Sequence, residues 1–75
     1  MSLPRFTYVL LFIHRDDAEP ESHEHVSIED ARYHMNLFDD NDAEFYDRIE
    51  LYRRDYVGHT DTLLETRHFS VRRSP

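Results

Sequence analysis

Arg5-Phe6-Thr7-Tyr8-Val9-Leu10-Leu11-Phe12-Ile13-His14-Arg15 is the stretch on which the reading of this chain turns. β-branched and aromatic residues dominate it, which favours a strand over a helix. In an extended chain Phe6, Tyr8, Leu10 and Phe12 share one side, and Thr7, Val9, Leu11 and Ile13 share the other. Both sides are apolar. A strand of this kind needs cover on both of its faces.

The same run bounds the location of the chain. Tyr8 to Ile13 is the longest apolar stretch. It falls far short of the roughly 20 residues that span a bilayer. Arg5 precedes it, but Arg15, Asp16 and Asp17 follow, and no small-residue cleavage site comes after. The stretch therefore reads as a core strand, and the chain as cytoplasmic, without a membrane partner.

Outward from this strand the sequence punctuates itself. Asp16 to His25 (Asp-Asp-Ala-Glu-Pro-Glu-Ser-His-Glu-His) is polar, acidic and interrupted by Pro20, and is predicted to be an exposed loop over 16–25. A helix is predicted over 27–39, opened by Ser27, since its hydroxyl can accept an amide proton of the first turn. Asp30 follows three residues later, and Val26 is placed to staple onto Ala31. Ile28, Ala31, Met35 and Phe38 recur at helical spacing and make one apolar stripe. Asp39-Asp40-Asn41-Asp42 stops the helix, because short polar side chains compete for the backbone and acid opposes the dipole there. One more turn, capped by Asp42, is expected over 43–46. A hairpin is then predicted: strands over 48–56 and 62–69 around the only glycine, Gly58. The tail at 72–75 is expected to be flexible.

With 75 residues, there is material for one domain over 1–75 and one modest core. The expected fold is α+β, strand-helix-strand-strand (βαββ). Three strands form a sheet and one helix packs on one of its faces. One helix leaves the other face of the first strand bare, and a second copy of the chain, related by a two-fold axis, is the simplest cover.

Composition narrows the partners. The net charge is −7, all nine basic residues are arginines, and there is no cysteine. Disulfides and thiolate metal sites are thereby excluded. The acidic balance argues against direct nucleic-acid binding, where phosphate neutralisation supplies most of the affinity, and suits a basic protein partner. Asp16, Asp17, Asp39, Asp40 and Asp42 are the candidate acidic surface. Spaced carboxylates can also imitate phosphates, as small acidic phage proteins, several anti-CRISPR families among them, do; no motif assigns this chain to one of them.

Tyrosine and arginine, enriched at binding hot spots, cluster on the second strand. Tyr52, Arg54 and Tyr56 share a face there, and together with Tyr8 they are the candidate interface. Arg48, Arg53 and Arg54 on this strand have an alternative use as partners of Asp47, Glu50 and Asp55. His23 and His25 are candidate metal ligands, since imidazoles in an HxH pair point the same way when the segment is extended. His14, Glu21 and Glu24 are close in sequence, but the spacing matches no established metal signature. The acidic run after the helix lacks the glycine and the helical context of a calcium loop. No glycine-rich phosphate loop, cysteine nucleophile or serine elbow is present, so no catalytic residue or cofactor is expected. The chain reads as a non-enzymatic interaction module that forms a homodimer. A nucleic-acid mimic and a histidine-dependent metal protein or enzyme are the alternatives.

Overall fold

The computed structural model describes residues 4–71; the tail expected at 72–75 lies outside them. β1 (Phe6–His14) is followed by β2 (Glu21–His25), α1 (Ile28–Asn36), a 3-10 turn (Asp40–Asp42), β3 (Tyr46–Asp55) and β4 (Thr60–His68). The strands form one antiparallel sheet in the order β2-β1-β3-β4. The described residues thus form a small α+β domain with one α-helix and four strands.

The order is ββαββ, not βαββ. The segment expected as a loop over 16–25 is a loop only as far as Pro20; Glu21 to His25 pairs with β1, from Phe12↔Glu21 to Tyr8↔His25. Its residues carry no apolar signal, and its strand character comes from backbone pairing to an otherwise open edge. Polar, charged residues on a short edge strand also discourage pairing with further chains.

β1 therefore lies between two strands, and α1 crosses one of its faces. Ser27 caps α1 by accepting the Asp30 amide proton at 3.2 Å. Ala31 and Met35 are buried against Leu10, Phe12, Ile49 and Leu51, with Ile28 and Phe38 half-buried beside them. The apolar stripe thus packs as its spacing predicts, but the helix stops at Asn36 with Leu37 as its C-cap, short of the expected 39, and Phe38 reaches the core from beyond its end. Arg32 pairs with Glu65 at 3.8 Å and Asn36 accepts from Arg67 at 3.2 Å, which orients the helix towards β4. Val26 stays 73% exposed and makes no staple. The extra turn is a 3-10 turn at Asp40–Asp42, capped by Asp39 rather than by Asp42. Asp39 accepts the Asn41 amide proton at 2.9 Å, and Asp42 accepts that of Asp39 at 3.0 Å.

The β3–β4 turn uses its glycine in an unexpected way. The left-handed residue is His59, at φ 55°. Gly58 instead makes room for a side chain: a Cβ there would stand 2.9 Å from Asp55 Oδ2 and would displace that carboxylate. Asp55 Oδ1 accepts the amide protons of Val57 and Gly58 at 2.9 and 3.0 Å and so folds the turn around itself. At the other end of the sheet Arg15 ties three segments together. Its guanidinium donates to the carbonyls of Ala43, Tyr46 and Phe69.

Candidate functional site

Register decides which side chains share a face. Thr7, Val9 and Leu11 pair with Arg54, Tyr52 and Glu50. Glu24 and Ser22 pair with Val9 and Leu11 on the other side of β1. Asp61, Leu63 and Thr66 pair with Arg54, Tyr52 and Glu50. All of these point away from α1; Thr7 and Val9 are buried by their neighbours on the sheet, and Leu11 and Tyr52 are half-buried. This uncovered face is a mixed surface: an apolar band of Val9, Leu11, Ile13, Tyr52 and Leu63 framed by charges. A shallow depression of about 320 Å³ lies on it, lined by Val9, Leu11, Ser22, Tyr52, Arg54 and Asp61.

The charges on this face are paired within it. Arg54 holds Asp61 at 3.1 Å. Arg48 holds Glu50 at 3.3 Å and the neighbouring Asp47 at 2.8 Å, and the Tyr52 hydroxyl donates to Glu50 at 3.1 Å. Glu24 accepts from the hydroxyls of Thr7 and Tyr56, with Arg54 4.0 Å away. The Thr7 and Tyr56 hydrogen bonds, with help from Arg54, hold the Glu24 carboxyl below its usual range. Glu24 thereby fastens β2 to β1 and to the far end of β3. Partial burial, then the Glu50 contact, pushes the Tyr52 phenol upwards, so it stays a hydrogen-bond donor at neutral pH.

Of the four candidate interface residues, Tyr52, Arg54 and Tyr56 come together here. Tyr8 does not. Its register partners are His25 and Arg53, and it packs against the core under α1. Its own strand alternation places it beside Leu10 and Phe12, and that alternation prevails over its aromatic character. The alternative pairing of the arginines holds for Arg48, whereas Arg53 lies over the Phe6 ring at 4.8 Å and Asp55 pairs with Arg5 at 3.4 Å.

The candidate acidic residues gather at one end of the sheet, where β1 ends and β3 begins. They are also used locally. Asp16 accepts the Ala18 amide proton at 3.0 Å, Asp39 and Asp42 cap the 3-10 turn, and Asp40 accepts from the Ser70 amide at 3.1 Å.

On the helix side, β2 is extended, so His23 and His25 do point the same way, towards α1. There they meet His34, which sequence spacing did not connect to them. The His23 and His34 ring centroids are 5.0 Å apart, and His25 Nε2 stands 2.9 Å from His34 Nδ1. Phe12 forms the floor of this cluster, 5.2 Å from His23 and 5.3 Å from His34. Glu21 bridges His14 at 3.4 Å and His23 at 3.8 Å. Burial first, and the neighbouring imidazoles second, hold the His34 pKa below its ordinary value. Among the described residues no three side chains of His, Asp or Glu form a set that could hold a metal ion. The signal that would have found His34 is its four-residue spacing to Phe38, just past the end of α1, which puts both on the side that faces Phe12.

Among the described residues no helix is long and apolar enough to cross a membrane. No protein-family model, no curated protein and no solved structure matches this chain.

Proposed function

We propose that this protein is a small non-enzymatic interaction module that pairs with a second copy of itself through the uncovered face of its sheet. One observation carries the reading: on the face opposite α1, β1 sets half-buried Leu11 and Ile13 beside buried Thr7 and Val9, and β3 adds half-buried Tyr52. Tyrosine, valine and leucine at the centre of a face, ringed by polar groups, have the layout of a protein interface.

Charge selects a second copy as the occupant. The face carries Arg48 and Arg54 against Glu24, Glu50 and Asp61, a balance of two positive and three negative groups, or −1. The whole chain carries −7. Copies meeting elsewhere repel; copies meeting here bring near-neutral surfaces together. A two-fold arrangement would stack the sheets about 10 Å apart with interdigitated side chains. The acidic end of the sheet stays outside such a dimer and is left free for a basic protein.

The test is the mass in solution. Sedimentation equilibrium should give twice the monomer mass. Replacing Tyr52 and Tyr56 by serine should weaken the dimer at least tenfold, while Tyr33→Ser, on the exposed side of α1, should leave it unchanged. A wild-type chain that stays monomeric at millimolar concentration would sink the reading. Equal dimers in both variants would move the interface elsewhere.

A further inference from the structure

β2 and α1 meet through imidazoles. Nε2 of His25 and Nδ1 of His34 are 2.9 Å apart, their rings cross at 76°, and both residues are half-buried at the edge of the sheet, within reach of solvent. Between two neutral rings this contact is one shared proton: one nitrogen donates and the other offers its lone pair. The spacing has a second reading. With metal–nitrogen bonds of about 2.0–2.1 Å, two nitrogens at a right angle on one ion lie roughly 2.9 Å apart, and at a tetrahedral angle roughly 3.3 Å. Right-angled nitrogen and oxygen sets belong to nickel and copper(II) rather than to structural zinc.

We propose that His25 and His34 form a two-imidazole chelate for a divalent ion of the nickel–copper class. Water fills the remaining positions, which is why no three-ligand set is needed. On binding, the ring whose facing nitrogen carries the proton shifts tautomer and moves that proton to its other nitrogen. Both facing nitrogens then donate lone pairs, and the protein loses no proton. The acidic chain draws cations in. Glu21 lies 3.8 Å from the neighbouring His23. The chelate spans an edge strand and a helix, so the ion binds the folded state alone and staples α1 to β2. The pair differs from the one the HxH spacing suggests: β2 contributes one ligand, not two.

The experiment uses the full chain without an affinity tag and Ni²⁺ as the probe, at pH 7.5. Calorimetry should give one ion per chain. Free Ni²⁺ at ten times its Kd should raise the melting temperature by about 5–10 °C. His25→Ala and His34→Ala should each weaken binding at least tenfold, and His14→Ala should not. In the wild-type protein, paramagnetic broadening should centre on the ring signals of His25 and His34, a readout independent of whether the variants fold. No melting shift in the wild type, or broadening centred on His14 and His23, overturns the proposal.

Discussion

Arg15 shows how one side chain can close a small domain. It leaves β1 at the point where the chain turns, and its guanidinium reaches the carbonyls of Ala43, Tyr46 and Phe69, segments on three sides of it. Hydrogen bonds that involve a charged group contribute about 1.5–3 kcal/mol each, and their loss leaves carbonyls unpaired. Arg15→Ala should therefore lower the unfolding free energy by about 2–3 kcal/mol, seen as a lower urea midpoint at constant slope. Arg15→Lys should recover only part, because an ammonium cannot fork to several acceptors. Asp55 makes a second prediction at this scale. The Gly58 amide first, then the Arg5 guanidinium and the Val57 amide, hold its carboxyl below the usual value. The folded state thus favours the ionised form more than the unfolded chain does. That contribution is complete above about pH 4 and is lost as the pH falls through the lower folded value. Asp55→Asn, followed by thermal melts between pH 2 and 5, should flatten the acid limb of the stability curve.

Elements differ in how far they declare themselves in the chain. β1 does so because both of its faces are apolar, and α1 because Ser27 and the stripe Ile28, Ala31, Met35 and Phe38 agree on one boundary and one buried side. β2 is silent: Glu-Ser-His-Glu-His has neither alternation nor β-branched residues. It is held by the backbone edge of β1 and by side chains distant in sequence, Thr7 and Tyr56 on Glu24 and Phe12 against His23. Local pattern cannot report such partners. The same distinction separates the two helix-start signals. The Ser27 cap forms and the Val26 staple does not. Ser27→Ala should cost about 1 kcal/mol, and Val26→Ser less than about 0.5 kcal/mol, in chemical denaturation followed by circular dichroism. Comparable costs for the two would mean that Val26 packs in solution.

At the scale of the whole molecule, charge and apolar surface are arranged separately. The candidate face was legible to the extent that strand alternation reaches: Thr7, Val9, Leu11 and Ile13 on one strand, Tyr52, Arg54 and Tyr56 on another. Its charge balance was not, because Glu24 and Asp61 arrive there through registers that no single segment encodes. That balance yields a prediction that separates self-pairing from phosphate mimicry. In the proposed dimer, two copies of charge −7 would repel as bodies while their near-neutral faces would attract. Salt shortens the Debye length from about 14 Å at 50 mM to about 4 Å at 500 mM and removes that repulsion, leaving apolar burial almost untouched. Self-association should therefore tighten by about tenfold across this range. A mimic held to a basic partner by its carboxylates must do the opposite and let go as salt rises. Sedimentation velocity at several chain concentrations and both salt levels measures the first effect directly. A dimer that weakens with salt would mean that Arg48 and Arg54 pair with carboxylates across the interface rather than within one copy, and the internal ion pairs of the face would have to open when the copies meet.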